Sequence, residues 1–253
     1  FGFRGEALPA ISSISNMTIT SKIENQSYAS SIEIERGEII NQKPSNRGIG
    51  TTVEVVSLFE KVPARLKFLK TNRIEMSHCK DIFLKIALSH PNIEFKFNID
   101  GRNIYDFKTD ENNSFINQDR LVAAFGDEFL DNSLEINYKK NSYRMNGKIS
   151  YPTFNSSTAS NQYLYVNNRS IKDKKILGAI KASYSETIPR GRFPFVVIFL
   201  EMPPSLVDVN VHPSKTEVRF ERDNKHETLS ITIPQGLPDG SRMRLRGQGL
   251  SLI

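Results

Sequence analysis

Two short stretches of this sequence carry residue types that could hold an anion. Residues 2–8 read GFRGEAL: Gly2 and Gly5 flank Phe3 and Arg4, and Glu6, Ala7 and Leu8 open a helix. Glycines ahead of a helix start let backbone N–H groups close on a phosphate, and the helix N-terminus adds a favourable dipole. Arg4 could add a charge-assisted contact or hold the loop in shape. By spacing alone, the same residues also make a tight turn before an ordinary helix. The second stretch, 206–220, reads LVDVNVHPSKTEVRF. It alternates as a strand until Pro213 breaks it, which leaves Lys215 in a loop where a flexible ammonium could reach an anion. Read alone, Asp208, His212 and Lys215 also suit a solvated strand edge and turn.

The elements that must position these residues are legible around them. A short helix is expected over 6–14, with Pro9 tolerable in its first turn. A strand follows over 17–21, then a hairpin of 28–35 and 38–42 around Arg36-Gly37. Gly50-Thr51-Thr52 leads into a strand over 53–56. From 72 to 90, Cys79, Ile82, Phe83, Ile86 and Ala87 fall at i, i+3, i+4, i+7 and i+8, one face of an amphipathic helix. A second hairpin, 94–100 and 103–108, turns at Asp100-Gly101. The polar run TDENNSFINQ (109–118) reads as a domain boundary. Beyond it come a helix near 120–125, strands over 134–139 and 142–150, a loop over 153–161, a strand over 163–166, a helix near 172–185 and an apolar strand over 195–201. Strands and helices interleave throughout, so the fold class is α/β or α+β with mixed sheets.

Composition narrows the field. The chain has 253 residues, 38% hydrophobic and 25% charged, which suits a folded globular protein. No apolar run approaches the roughly 18 residues of a membrane span, and the opening lacks the basic and apolar regions of a secretory signal. A single cysteine, Cys79, cannot staple the chain, which fits a reducing cytoplasm. His78, His90, His212 and His226 form no metal motif. The net charge of +6 favours polyanion partners, nucleic acid above all. Lys and Arg are spread along the chain, so any basic patch must be made by folding.

In order, GFRGEAL (2–8), GTTVEV (50–55), PARLKF (63–68), YVNNR (165–169) and VDVNVHPSKTEVRF (207–220) resemble the MutL family of mismatch-repair ATPases. That family is a branch of the GHKL ATPases, which include gyrase, the Hsp90 chaperones and histidine kinases. The likeness runs from residue 1 to about residue 220, and its last block is specific to the mismatch-repair branch. It implies that Gly2, Phe3, Arg4, Gly5, Glu6, Ala7 and Leu8 form the lid whose amides hold the phosphates of ATP, and that Thr51 sits where a further motif meets lid and nucleotide. It implies that Lys215 reaches the γ-phosphate from the second domain, so that ATP and not ADP locks the two domains together. Arg65, Lys67 and Arg169 become candidates for DNA phosphate contacts, and each also reads as a solvated surface charge. Two positions depart from the family pattern. Asn168 stands where glycine is usual, and Asn is the residue most willing to take a left-handed turn in its place. Leu66 stands where a second basic residue is common.

The family's catalytic glutamate, its Mg²⁺-holding asparagine and its adenine-reading aspartate lie upstream of the lid. The chain is therefore expected to be a fragment lacking the first ATP motifs, inactive as a hydrolase by itself, and marginally stable. The domains expected are 1–112, the C-terminal part of a GHKL ATP-binding sandwich; 113–222, a ribosomal-protein-like βα domain; and 223–253, a β tail. That tail (HETLSITIPQGLPDGSRMRLRGQG, 226–249) resembles the C-terminal domain of DnaJ-type co-chaperones and reads as a foreign or fused segment. The function implied is ATP-dependent mismatch repair by a clamp and mediator. Its partners would be mismatched or nicked DNA, mismatch-recognition and nuclease proteins, and a second copy of the parent chain. Two other functions remain open on the residues: a peptide-binding co-chaperone segment, resting on the tail, and a generic nucleic-acid-binding module, resting on charge.

Overall fold

The computed structural model describes residues 5–109, 116–208 and 219–220. Residues 2–4 and 209–218, with Gly2, Phe3, Arg4 and Lys215, lie outside the described residues, as does the tail from 221. The chain forms two compact units, residues 1–78 and 79–253. Among the described residues, no helix is long and apolar enough to cross a membrane.

In the first unit, helix α1 (Ala7–Ser12) leads into four strands, β1 (Asn16–Lys22), β2 (Ala29–Glu35), β3 (Glu38–Ser45) and β4 (Gly50–Val56). They form an antiparallel sheet in the order β3-β2-β1-β4. The β2–β3 turn carries Arg36 at φ 55° and Gly37 at φ 83°, the consecutive positive values a two-residue hairpin turn needs. Its Gly37 amide donates to the Ser12 carbonyl, and the Phe59 amide donates to that of Ile14, so the end of α1 is tied at two points. Among the described residues, the buried ones of this unit are small apart from Met17: Ser12, Ser15, Ala29 and Ser31. Edge strand β4 is exposed along its whole length, Val53, Val55 and Val56 included. Helix α2 (Pro63–Leu66) follows, with Pro63 in its first turn, where its missing N–H costs nothing.

Helix α3 (Asn72–Ser89) begins where the sequence places it, but its buried face is rotated. Leu84, Ala87 and Leu88 are buried, whereas Cys79, Ile82 and Ile86 are exposed. Ile82 and Leu84 head two apolar rows on adjacent faces of one helix, and periodicity cannot say which row finds a partner. The hairpin β5 (Phe95–Ile99) and β6 (Arg102–Phe107) supplies that partner: Phe95, Tyr105 and Phe107 pack with Phe83, Leu84 and Ala87. The Phe83 ring stacks on Tyr105 at 5.7 Å and meets Phe95 edge-on at 5.9 Å, geometries that aromatic quadrupoles favour.

Helices α4 (Gln118–Phe125) and α5 (Glu128–Asp131) then precede β7 (Ser133–Lys140), β8 (Tyr143–Ser150), β9 (Asn155–Ser156), β10 (Gln162–Val166) and β11 (Arg169–Ile171). Helix α6 (Lys174–Ser183), β12 (Phe193–Pro194) and β13 (Val196–Glu201) follow, and β14 (Val207–Asp208) pairs with β15 (Arg219–Phe220). The main sheet runs β11-β10-β13-β8-β7, with β10 and β13 parallel and the other pairs antiparallel. It is covered on both faces. Tyr163, Tyr165, Val197 and Phe199 pack with Leu88, Leu121, Phe125 and Phe129 on one side. Leu164, Val166, Val196 and Ile198 pack with Ile180 of α6 on the other. Burial on both faces explains why QYLYV and VVIFL are near-continuous apolar runs with no alternation. Asp173 caps α6, its carboxylate accepting from the amides of Lys175 and Ile176, each at 2.9 Å.

Three tyrosines anchor this layer through their hydroxyls. Tyr184 donates to the Ser150 carbonyl (2.6 Å), Tyr165 to that of Lys85 (3.0 Å) and Tyr163 to the Asp81 carboxylate (3.3 Å). Burial pushes the Tyr184 phenol up to about 12. Burial first, and then the Asp81 charge, raise Tyr163 further, and burial raises Tyr165 in the same direction. Unfolded tyrosines ionise near pH ~10, so above that value the unfolded chain releases protons that the folded chain keeps. Stability is therefore expected to fall as the pH rises from about 10 towards 12. Melting temperature followed through that window checks this, and Tyr184→Phe should make the decline shallower. A flat profile would mean these hydroxyls reach solvent.

Candidate functional site

The lid candidates Gly5, Glu6, Ala7 and Leu8 sit at the start of α1, and all are exposed. Gly5 takes φ +66°, and a methyl group placed on it would meet nothing within 4 Å. The backbone there is both turned and open, which suits a phosphate lying against its amides. The Glu6 side chain makes no capping hydrogen bond, so it does not compete for the first-turn N–H groups of α1.

Thr51 lies at the start of β4, opposite Ser21 of β1, and their hydroxyls are 2.9 Å apart. Gly50 beside it takes φ +125°, with the Arg47 guanidinium 3.4 Å from where a side chain would begin. Arg47 also donates to the Thr20 carbonyl at 3.4 Å. Thr51 is thus placed by strand register and held by Ser21. Among the described residues, no hydrogen bond or ion pair joins it to residues 5–8. No group of three or more His, Cys, Asp or Glu among the described residues could hold a metal ion. Gly5 thus leaves the backbone open at the head of α1.

Arg65 and Lys67 lie in and just after α2, both exposed, in the first unit. Arg169 opens β11 in the second unit, directly after the β10–β11 turn. In that turn Asn167 has φ 48° and Asn168 φ 62°, so Asn168 does take the left-handed conformation expected of a glycine substitute. No sequence motif assigns a role to Asn167. Its amide N–H donates to the Leu200 carbonyl (2.9 Å), its side-chain N–H to the Met202 carbonyl (3.0 Å), and its side-chain oxygen accepts from the Met202 N–H (3.0 Å). The carboxamide thereby mimics a strand partner for the end of β13 and fixes the turn that presents Arg169. An Asn-Asn pair between an apolar strand and a basic residue was the available signal.

Two acids of the first sheet are held by neighbouring cations. Lys43 and then Asn41 hold the Glu33 carboxyl below its usual range, and Lys61 does the same for Glu35. Arg120 was missed entirely. It is buried (1% exposed), and its guanidinium donates to the carbonyls of Ala87, His90, Pro91, Ile93 and Lys108.

A family profile described as "DNA mismatch repair protein, C-terminal domain" matches residues 121–236. A "DNA mismatch repair protein MutL" from Rickettsia bellii (strain RML369-C) is 40% identical over 232 residues, covering 91% of this chain and 38% of the relative. The MutL of Neisseria gonorrhoeae (strain NCCP11945) is 38% identical over 240 residues, covering 94% and 36%. The chain thus spans under two fifths of the length of these curated relatives. Among solved structures, the N-terminal domain of a DNA repair protein superposes with a TM-score of 0.73 at 26% identity, covering 87% of this chain and 70% of that one. The Aquifex aeolicus MutL ATPase domain complexed with ADP gives 0.62, also at 26% identity, covering 79% and 72%.

Proposed function

Over nine-tenths of its length this chain is homologous to MutL DNA mismatch repair proteins, and on that premise we propose that it supplies the nucleotide lid and the DNA-facing second domain of an ATP-gated mediator of mismatch repair. What supports this reading is the backbone at Gly5, the described glycine of the lid candidates. Gly5 is turned and open at the head of α1, in a chain whose fold superposes on a MutL ATPase domain complexed with ADP. In this reading residues 1–112 belong to the ATP-binding domain and 113–222 to the second domain, with 223–253 a separate tail. Backbone amides of residues 2–8 hold phosphate, Thr51 meets the nucleotide, and Lys215 senses the γ-phosphate, to which ADP offers nothing. Mg²⁺ would accompany the nucleotide, as the resemblance implies. Arg65, Lys67 and Arg169 contact DNA phosphates, each adding to affinity and to its salt dependence. The partners are mismatched or nicked DNA, mismatch-recognition and nuclease proteins and a second copy of the parent, and the setting is the cytoplasm.

The test measures duplex DNA affinity against salt, with a non-hydrolysable ATP analogue, with ADP and with neither. The analogue is expected to shift affinity, ADP is not, and Lys215→Ala should abolish the analogue's effect without weakening ADP. Arg169→Gln should make the slope of log affinity against log salt shallower by about one. Steeply salt-dependent affinity indifferent to every nucleotide would overturn the gated reading and leave a generic nucleic-acid-binding module.

A further inference from the structure

Among the described residues, the most exposed large hydrophobic side chain is Phe68, at 80%. It follows α2 in the run ARLKFLKTNR (64–73), which holds Arg65, Lys67, Lys70 and Arg73. The backbone continues in helical turns past α2, with the Lys67 amide bonded to the Pro63 carbonyl, Phe68 to Arg65 and Leu69 to Leu66. Phe68 is therefore presented from a short ordered segment. Among the described residues, none of the four cations has a carboxylate partner. Glu75 accepts from the Lys70 amide at 2.8 Å and lies 3.9 Å from His78, so one carboxylate borders the cluster of four cations. Leu66 and Leu69 beside Phe68 are also exposed.

We propose that Phe68, flanked by Arg65, Lys67, Lys70 and Arg73, is a stacking platform for an unpaired base of single-stranded nucleic acid. The four cations, none in an ion pair among the described residues, attract a phosphate backbone, and the exposed ring offers what a base needs once it has left its stack. A duplex hides its base faces against one another, so it can use the cations but not the ring. The inference rests on the DNA-binding reading above and deepens it, because it separates single-stranded from duplex recognition at a named residue.

The chain contains no tryptophan, so Phe68→Trp places a single indole at the proposed contact, excited selectively over the tyrosines. A single-stranded oligodeoxynucleotide should quench its emission saturably, and the matching duplex should not. Phe68→Ala should weaken single-strand affinity about tenfold with duplex affinity and salt slope unchanged. Lys67→Gln should make the slope shallower for both. Equal losses on both DNA forms, or no loss on either, would overturn the proposal. So would indole emission from the Phe68→Trp variant that is blue-shifted and indifferent to DNA, which would mean that another part of the protein covers the ring. If Phe68→Ala has no effect while Arg169→Gln still weakens duplex binding, the stacking inference fails and the mismatch-repair reading stands.

Discussion

Arg120→Met is expected to destabilise the second unit by about 3–5 kcal/mol, a large part of what holds a domain together. The methionine fills much of the same volume, so packing alone predicts little change. The guanidinium, however, donates to carbonyls from three places: the end of α3 at Ala87, the following turn at His90, Pro91 and Ile93, and Lys108 just beyond β6. It also lies 5.7 Å and 5.5 Å from the ring centres of Phe95 and Phe107, where the ring faces favour a cation. Without it these carbonyls lose a charged donor, each such bond being worth roughly 1.5–3 kcal/mol and each unmet group carrying its own desolvation cost. Arg120→Lys should fall between wild type and Arg120→Met, because one ammonium cannot reach as many acceptors as a planar fork. Urea denaturation followed by far-ultraviolet circular dichroism measures both. A loss under about 1 kcal/mol in Arg120→Met would mean that water replaces the guanidinium at little cost.

That residue also marks where the sequence stops being readable. An arginine in the first turn of a helix reads as a surface charge. Its burial depends on acceptors 12 to 33 residues away in the chain, which no local pattern contains. Strands β10 and β13 were legible because burial on both faces leaves an apolar run with its own signature. The turn after β10 was legible because only a few residue types accept φ above zero, and Asn168 is one. Helix α3 was legible as a helix but not in its facing, since Ile82–Ile86 and Leu84–Leu88 offer two rows at the same spacing. Of the candidate site, residues 2–8, Thr51 and Lys215 are proposed from motifs. Asn167 and Phe68 lie inside two of the quoted motifs, 165–169 and 63–68, but nothing in those stretches gives either a role. Asn167 acts through a backbone 35 residues away, and an apolar ring in a basic segment gives no sign from composition of whether it faces a core or solvent.

Among the described glycines of the second unit, Gly147 is expected to be the one least tolerant of an added methyl group. Gly147 lies in β8, between β13 and β7, paired with Ile198 on one side and Ile136 on the other. A methyl group there would collide with the Val197 carbonyl oxygen and sit 3.0 Å from the Ile198 Cα. Both are backbone atoms of a buried central strand, so neither can swing aside as a side chain could. Relief requires β8 and β13 to separate or slip, and a one-residue slip would turn every side chain of β13 to the wrong face. The loss should exceed about 3 kcal/mol, above the ordinary range for a core substitution. Gly5→Ala is the matched control, since its methyl group meets nothing within 4 Å and only the φ of +66° is penalised, at roughly 1–2 kcal/mol. The two glycines also part company in function. Strand β13 ends at the Leu200 and Met202 backbone that Asn167 grips, so any Gly147→Ala protein that still folds should present Arg169 poorly and show a shallower salt slope on duplex DNA. Gly5→Ala should leave that slope alone and weaken only the response to nucleotide. Thermal melts and salt titrations of the two variants separate these outcomes. A Gly147→Ala protein that melts with wild type would show that β8 and β13 can move apart without loss, and the sheet could not then be the rigid support of the Arg169 turn.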